Sequence, residues 1–372
     1  MLGFFGPRLT KDLADHLLRA GFSPGHEIVG SFQMNKHIVG VVSIWGSCDN
    51  NGSLNLSEEI TVLLSPAAAS FDQFENFEKR TFDVPDSGFG AASINARVGG
   101  KGPPLLLIHG NPLTHVSWHK VVPFLEKHFS IISVDLRGYG DSIGPEDGGP
   151  DSINYSFRAM AKDLIKVMEV LGHHTFYVAG HDRGARTAHR MALDHKEIVK
   201  KCALIDILPS HYIWNNTSAE WADSSWHWVF MIQPYDMPER MMAAVPPEYF
   251  IEKKISKPGK GLKPFSPEAL KEYIRCFNWK TIRGSCEDYR ACATSDLTMD
   301  TKDFQNHNHI DCPSLINWAK DSHTGKVYGD LLKIWRDYVS TELIGGEIDC
   351  GHYVIEECPK ETADWLVRHF TE

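Results

Sequence analysis

The feature that most constrains the fold of this chain is the stretch VAGHDRGARTAHR at residues 178–190. It begins with small apolar residues, which are typical of the end of a buried strand, and continues as a segment able to form a helix. Between the two lies GHDRG at 180–184, in which a glycine stands two positions before Asp182 and another two positions after it. This spacing predicts a sharp turn from strand to helix with the Asp182 carboxylate at its tip.

Strands and helices alternate on both sides of this turn. Apolar runs that are typical of strands covered on both faces recur along the chain. They lie at 104–108, 130–135, 175–179 and 201–207. A further strand is predicted at 92–98, and helices are predicted at 117–128 and 158–171. Because alternating strands and helices form parallel sheets with right-handed crossovers, the predicted fold class is α/β, with a mostly parallel, doubly wound sheet.

The alternation stops after the fifth of these strands and returns near the C-terminus. The intervening segment is rich in tryptophan, tyrosine, proline and methionine, and predicts a helical cap. Strands return at 313–318 and 342–349, and a closing helix is predicted at 362–370. Near the N-terminus a helix is predicted at 11–20 and a strand at 37–45. The predicted parts are an N-terminal extension at 1–73, a first core part at 74–210, a cap at 211–303 and a second core part at 304–372.

Charge and composition argue against several function classes. The chain has 372 residues and a formal net charge of -10, without a basic run that would bind nucleic acid. No apolar run approaches the ~18 residues of a transmembrane helix, and no signal-peptide core is found, so no membrane partner is predicted. The eight cysteines are scattered singly, which indicates reduced thiols and a cytoplasmic location. The HxHxD pattern at 307–311 can ligate metals, but its place before a core strand predicts a simple connection and no metal site.

An aspartate at the tip of the turn indicates a chemistry different from that of serine, the usual nucleophile there. A carboxylate is ionised at neutral pH and can attack a saturated carbon, so that a leaving group departs and an alkyl ester forms. Water must then cleave the ester, which requires a base and oxyanion donors. Asp206 at a strand end and His352 after the last strand complete the chain order nucleophile, acid, histidine. The backbone N–H groups of Asn111 and Arg183 are the predicted oxyanion donors.

From about residue 74 to the C-terminus, the sequence resembles the fluoroacetate (haloacetate) dehalogenases of the α/β-hydrolase superfamily. The most specific match is GHDRGARTAHRMALDH at 180–195, and further matches are spread along the chain. They are HGNP at 109–112, DLRGYGDS at 135–142, LIDILP at 204–209, SWHWVF at 225–230, GSCEDYRA at 284–291 and GH at 351–352. The HGxP pattern and DLRGYGDS are shared with epoxide hydrolases, so these two indicate the fold more than the activity.

The resemblance implies an α/β-hydrolase core with a helical cap and the hydrolytic dehalogenation of small haloacids. Haloacetate and water would give glycolate and halide, without a cofactor, and the implied assembly is a homodimer. Asp182 is the implied nucleophile, His352 the base and Asp206 the acid that orients this base. The implied substrate contacts are Arg183 and Arg186 for the carboxylate, and His227, Trp228 and Tyr289 for the halide.

Two positions near the site depart from the residues that are common in this family. Ala185 stands where glycine is common, and Asn111 stands where phenylalanine is common. Both changes lie beside the predicted nucleophile and affect the space around the substrate. They are therefore expected to change the acceptance of 2-halo acids larger than haloacetate.

Two other functions stay open on the residues alone. An epoxide hydrolase would use the same Asp182, Asp206 and His352, but it needs two cap tyrosines to protonate the epoxide oxygen. Tyr289 can serve as one of them, whereas His227 stands where the other is expected. A non-catalytic ligand-binding relative would share the fold, and loss of a catalytic side chain would favour it, but all three are present.

Overall fold

The computed structural model describes residues 74, 76–256 and 260–372, together with the backbone of four short strands nearer the N-terminus. Contacts along the chain divide it into two compact units, Met1–Gln73 and Phe74–Glu372. The second unit contains all the residues to which the sequence motifs assign a chemical role.

The described strands of the first unit form two small antiparallel pairs. Gly30–Gln33 pairs with Val39–Val42, and Ser47–Cys48 pairs with Leu54–Asn55. The strand predicted at 37–45 is therefore present over its central four residues. The helix predicted at 11–20 lies outside the described residues.

The second unit is built on one eight-stranded sheet. Its strands are β1 (Glu78–Val84), β2 (Ala92–Gly100), β3 (Pro104–Ile108), β4 (Ser130–Val134), β5 (Phe176–His181), β6 (Val199–Ile205), β7 (Ser314–Ala319) and β8 (Leu343–Ile348). The spatial order is β8-β7-β6-β5-β3-β4-β2-β1; β2 runs antiparallel to both of its neighbours, β1 and β4, and all other neighbouring strands are parallel. This topology confirms the predicted α/β class with a mostly parallel sheet.

Helices cover both faces of this sheet, because the central strands are apolar on both sides. The α-helices are α1 (Val122–Leu125), α2 (Phe157–Val170), α3 (Arg183–Asp194), α4 (Ser210–Asn215), α5 (Ala219–Ser224), α6 (Trp226–Met231), α7 (Met237–Ala243), α8 (Pro247–Ile255), α9 (Pro267–Cys276), α10 (Trp279–Ala293), α11 (Ser295–Gln305), α12 (His323–Tyr328), α13 (Leu331–Trp335), α14 (Val354–Glu357) and α15 (Pro359–Thr371). Two 3-10 segments, His115–Trp118 and Pro150–Tyr155, lie in loops. Residues 105–108 of β3 are fully buried, as expected for a strand between two helical layers.

The single helix predicted at 117–128 is wrong. The structure has the 3-10 segment His115–Trp118 and then the short helix α1. Pro123 is the physical reason, because proline lacks a backbone N–H and its ring clashes with the carbonyl one turn earlier. A helix can restart only with this proline in its first turn, which is where α1 places it.

The cap is the run of helices α4 to α11, inserted between β6 and β7. Three of its tryptophans, Trp214, Trp221 and Trp228, pack edge to face with ring centroids 5.6–5.7 Å apart. The long helix α10 contacts α7, α11 and the 3-10 segment Pro150–Tyr155. The cap therefore packs onto the edge of the sheet at which the parallel strands end.

The DLRGYGDS motif contributes a buried ion pair to the core. Arg137 and Asp163 on α2 are both buried, and Nε of the guanidinium is 2.6 Å from Oδ2 of the carboxylate. Nη2 binds the other carboxylate oxygen at 2.5 Å, and Nη1 donates to the carbonyl oxygens of Phe89 and Asn154. This bidentate pair fixes the loop after β4 against α2.

This pair allows a test of the core. We expect Asp163→Ala to lower the free energy of unfolding by about 3–5 kcal/mol, because the Arg137 charge would stay buried without its partner. Lys166→Met on the same helix is the control, since Lys166 and Glu169 are each 45% exposed and exposed pairs contribute less than about 1 kcal/mol. Urea unfolding measures both variants, and equal losses would contradict a stabilising role for the buried pair.

Candidate active site

Asp182 lies at the tip of the turn between β5 and α3. Its backbone has φ 52° and ψ −119°, a positive-φ conformation that residues other than glycine rarely adopt. The turn is sharp because backbone segments approach closely around it. A Cβ added to Gly180 would lie 2.3 Å from the Gly184 carbonyl oxygen, and one added to Gly184 would lie 2.3 Å from that of Ile108. Only glycine fits these two positions, which explains the Gly-x-Asp-x-Gly spacing.

The Asp182 carboxylate is buried and ionised. Its Oδ1 accepts a hydrogen bond of 2.9 Å from the backbone N–H of Asn111, which follows β3. Burial alone raises the pKa of Asp182, but the His352 and His181 rings and the Asn111 N–H outweigh burial and hold this pKa at about 2. The side chain is therefore a carboxylate at neutral pH, as a nucleophile must be.

His352 is oriented by Asp206, the residue that follows β6. Its Nδ1 lies 2.6 Å from Oδ2 of Asp206. The other carboxylate oxygen accepts hydrogen bonds from the Ala319 N–H at 3.0 Å and the Ser322 hydroxyl at 2.8 Å. Burial raises the pKa of Asp206, but the hydrogen bond and charge of His352 lower it below its ordinary value. An ionised Asp206 keeps the proton on Nδ1 and leaves Nε2 of the ring able to accept one.

Nε2 of His352 lies 3.7 Å from Oδ2 of Asp182. This distance is too long for a hydrogen bond, so Nε2 can accept a proton from a water near the carboxylate carbon. His181 supports the position of His352, because its Nε2 donates a hydrogen bond to the His352 carbonyl oxygen at 2.7 Å. Burial lowers the pKa of His181 to about 4. The structure thus brings Asp182, Asp206 and His352 together.

Both predicted oxyanion donors lie beside the nucleophile. The Asn111 N–H already donates to Oδ1 of Asp182. Arg183 is the first residue of α3, so its N–H has no acceptor within the helix and lies at the positive end of the helix dipole. Negative charge on Oδ1 of Asp182 would lie within hydrogen-bond distance of the Asn111 N–H.

The Arg183 side chain is buried in an ion pair with the cap. Nε donates to Oδ2 of Asp288 at 2.9 Å, and Nη2 donates to Oδ1 and to the Asp288 carbonyl oxygen. Oδ2 of Asp288 also accepts the Tyr139 hydroxyl at 2.6 Å. Of the three nitrogens of this guanidinium, only Nη1 is buried without a hydrogen-bond partner among the described residues. The Arg183 charge is therefore largely compensated before any substrate binds.

Arg186 is placed differently, one helical turn further along α3. Its Nη1 donates to the Leu208 carbonyl oxygen at 2.9 Å and to the Ser210 hydroxyl at 3.2 Å, which are neutral acceptors. Its Nε is buried and has no hydrogen-bond partner within the described part of the chain. The guanidinium lies 4.8 Å from the Trp228 ring centroid. Arg186 thus keeps a net positive charge close to the aromatic residues of the cap.

His227, Trp228 and Tyr289 meet above this pair of arginines. The Tyr289 ring centroid lies 5.7 Å from those of His227 and Trp228, and 4.1 Å from the Arg183 guanidinium. Burial, and then the Asp182 charge, raise the pKa of Tyr289 well above its ordinary value. The phenol therefore stays protonated and offers an O–H donor in a dry pocket.

Sequence reasoning missed two residues that hold this site. Asp288 directly precedes Tyr289 in GSCEDYRA, so the motif contained the signal, but only the tyrosine was given a role there. Ser322 carries no sequence signal beyond its position as the N-cap of α12, where it accepts the Gly325 N–H. Its bond to Asp206 depends on the loop after β7, which only the folded chain places next to β6.

The described residues outside this cluster show no second chemical centre of the kinds considered from the sequence. No group of three His, Cys, Asp or Glu side chains within them is placed to hold a metal ion. At the HxHxD pattern, Asp311 pairs with Lys196 at 2.6 Å instead. None of the described helices combines the length and apolar character needed to cross a membrane.

Comparison with known proteins identifies the family to which this fold belongs. A family model of the alpha/beta hydrolase fold matches residues 103–230. A fluoroacetate dehalogenase from Burkholderia sp is 37% identical over 300 residues, which span 80% of this chain and 94% of that protein. The chain belongs to the α/β-hydrolase family. The resemblance of this hydrolase to the fluoroacetate dehalogenases is also confirmed.

Two other relatives of this α/β-hydrolase are informative. A soluble epoxide hydrolase from Corynebacterium sp. (strain C12) is 26% identical, over 73% of this chain and 91% of that protein. A solved structure from Nostoc sp PCC 7120, described as an alpha/beta hydrolase, is 46% identical with a TM-score of 0.76. The superposition covers 80% of this chain and 99% of the Nostoc chain. Similar proteins thus carry names from both of the enzymatic functions considered above.

The Ser322 contact allows a test of the hydrolase site. We expect Ser322→Ala to lower the free energy of unfolding by about 2 kcal/mol, because a hydrogen bond to buried, charged Asp206 and a helix N-cap are lost together. Ser340→Ala is the matched control, since this exposed serine donates to the exposed carboxylate of Asp311 at 2.7 Å. Its expected loss is below about 0.5 kcal/mol. Chemical denaturation at neutral pH measures both losses, and a loss for Ser322→Ala no greater than that of the control would refute the contact's importance.

Proposed function

We propose that this α/β-hydrolase removes halide from small haloacids by hydrolysis, converting haloacetate and water into glycolate, halide and a proton. The observation that carries the proposal is the buried, ionised Asp182 carboxylate at the turn. Nε2 of His352 lies 3.7 Å from its Oδ2, and Nδ1 of the same ring is hydrogen-bonded to Asp206. A carboxylate nucleophile suits attack on saturated carbon, and the histidine suits cleavage of the ester that results.

In the first step, Oδ2 of Asp182 attacks the carbon that bears the halogen. Oδ1 is the oxygen held by the Asn111 N–H, so it becomes the carbonyl oxygen of the alkyl ester. The carbon–halogen bond breaks with its electron pair on the halide, which departs towards His227, Trp228 and Tyr289. These side chains offer N–H and O–H donors without a carboxylate among them, as an emerging anion requires.

In the second step, a water attacks the ester carbonyl carbon while Nε2 of His352 takes its proton. The negative charge that develops on Oδ1 is stabilised by the N–H groups of Asn111 and Arg183. Collapse of this intermediate releases glycolate and restores the Asp182 carboxylate. Asp206 stabilises the protonated ring until the proton passes to solvent.

The substrate carboxylate is expected to bind mainly to Arg186. The Arg183 charge is already paired with Asp288, so this residue can add only the N–H bonds of Nη1. Within the described part of the chain, Arg186 donates hydrogen bonds to neutral acceptors, so its charge is available to an anion. The proposed substrate is accordingly a small monoanion that spans the distance from Arg186 to Asp182.

The two-step scheme predicts a trapped intermediate. In His352→Gln, steady-state turnover of chloroacetate should fall by at least about a thousandfold, because the ester forms but its cleavage lacks the base. Mass spectrometry of peptides should then find a carboxymethyl group on the segment that contains Asp182. The double variant with Asp182→Asn is the control and should carry no such group. An unmodified Asp182 in a variant that still turns over would refute the scheme.

The halide pocket predicts selectivity for the halogen. Tyr289→Phe should lower kcat for fluoroacetate by about a hundredfold, since loss of one donor to developing charge costs about 3 kcal/mol. The loss for chloroacetate should be clearly smaller, because chloride leaves more readily. Tyr273→Phe is the control, as this buried cap tyrosine donates to Glu356 at 2.6 Å and has no assigned role in the reaction. Equal losses for both halides would show that Tyr289 only shapes the pocket.

Epoxide hydrolysis is the second candidate, favoured by the similarity to the soluble epoxide hydrolase. It would use the same Asp182, and Tyr289 would protonate the epoxide oxygen. His227 at the position expected for a second tyrosine, and the charge of Arg186, both favour an anionic substrate over a neutral epoxide. Diol formation from styrene oxide without halide release from haloacetates would reverse this preference.

A further inference from the structure

The segment after β8 carries the base of the proposed reaction and folds back on itself. It leaves the sheet at Ile348, contains His352, and enters the short helix α14, which ends at Glu357. The Glu357 N–H donates to the Tyr353 carbonyl oxygen at 2.8 Å, and this turn returns the glutamate side chain towards the residues that precede the histidine. Oε2 of Glu357 accepts a hydrogen bond of 2.9 Å from the backbone N–H of Gly351.

The contact between Gly351 and Glu357 is close and buried. A Cβ added to Gly351 would lie 2.6 Å from Oε1 of Glu357, so a larger residue would displace the carboxylate from this N–H. The Glu357 side chain is 3% exposed, and its Oε1 is buried without a hydrogen-bond partner among the described residues. A buried carboxylate with one unbonded oxygen is costly. Stability alone therefore does not account for it, which points to a role in the site.

The backbone of His352 is held on both sides of the residue. Glu357 holds the N–H of Gly351 on one side, and Nε2 of His181 donates to the His352 carbonyl oxygen at 2.7 Å on the other. Asp206 holds only the ring, through Nδ1. The position of Nε2 thus depends on the backbone contacts as well as on Asp206. A misplacement of about 1 Å can cost about a hundredfold in rate.

A lysine of the cap binds the same carboxylate oxygen. Lys260 lies in the loop between α8 and α9, and its Nζ is 3.0 Å from Oε2 of Glu357. The ammonium group compensates the charge of the carboxylate and fixes the oxygen that accepts the Gly351 N–H. Glu357 therefore connects the cap to the loop that carries the base.

We propose that Glu357 is a positioning residue for His352. It holds the loop at Gly351 so that Nε2 of His352 is aligned with the water that cleaves the ester, and Lys260 keeps the carboxylate in place from the cap. The inference rests on the proposed function, because it concerns only the second step. Attack of Asp182 on the carbon that bears the halogen needs no base, so this first step does not depend on Glu357.

The test separates the two steps in a single turnover, with enzyme in excess over chloroacetate. Chloride release measures ester formation, and mass spectrometry of quenched samples measures decay of the carboxymethyl ester on Asp182. Glu357→Ala should slow ester decay by about tenfold or more, while chloride release stays within about twofold of the wild type. Glu357→Asp should do the same, because its shorter side chain keeps the charge but does not reach Gly351. The aspartate variant decides the question if the alanine variant fails to fold.

Two further variants test the contact itself. Glu357→Gln should keep ester decay within about threefold of the wild type, because its amide oxygen can still accept the Gly351 N–H. Gly351→Ala should slow ester decay, since its methyl group displaces the carboxylate. Combined with Glu357→Ala it should add little, because residues in contact give non-additive effects. Fully additive effects of these two variants would contradict the contact.

Glu361→Ala is the matched control. Glu361 is an exposed residue of α15, four positions after Glu357, so the same charge is removed without loss of the Gly351 contact. This variant should keep both rates. Unchanged ester decay in Glu357→Ala and Glu357→Asp, or equal slowing of both steps, would overturn the role of Glu357 and leave the two-step scheme standing. Absence of both chloride release and ester in the wild type would overturn the proposed function together with this inference.

Discussion

The close approach of three backbone segments around Asp182 is the constraint on which the rest of the site depends. A positive-φ aspartate costs on the order of 1–3 kcal/mol, and it persists only where packing over-determines it. Here β5, the start of α3 and the end of β3 pack too tightly for a Cβ at Gly180 or Gly184. The same packing places the Asn111 N–H on the carboxylate. The strained turn and the first oxyanion contact are therefore consequences of one arrangement.

The second organising interaction is the buried bond from Arg183 to Asp288. It joins the residue after Asp182 to the cap helix that carries Tyr289, so this contact fixes the position of that helix on the core. Two buried charges are stable here because nearly every donor and acceptor is used, including the Tyr139 hydroxyl. As a consequence, the charge of Arg183 is compensated by Asp288, whereas the described hydrogen-bond partners of Arg186 are neutral.

Electrostatics and hydrogen bonding distinguish the two aspartates of the candidate site. Both are buried, and burial raises the pKa of each, yet both stay ionised because donors and the His352 ring surround them. Asp182 has one oxygen bound to an N–H and the other 3.7 Å from Nε2 of His352, so that oxygen can react. Asp206 has both oxygens occupied, by His352 and by the Ala319 and Ser322 donors, so it can orient but not attack.

Local sequence was sufficient for the fold class, for most of the central strands and for the candidate triad. Apolar runs identify buried strands, glycine spacing identifies the turn, and residues that follow parallel strands share one edge of the sheet. The continuous helix predicted at 117–128 is absent because Pro123 is costly inside a helix. The partners of Asp288 and Ser322 depend on contacts between segments more than 100 residues apart, which no local pattern specifies. Only tertiary structure could decide that Arg183 is paired with a carboxylate while the described partners of Arg186 are neutral, because burial and partner geometry exist only in the folded chain.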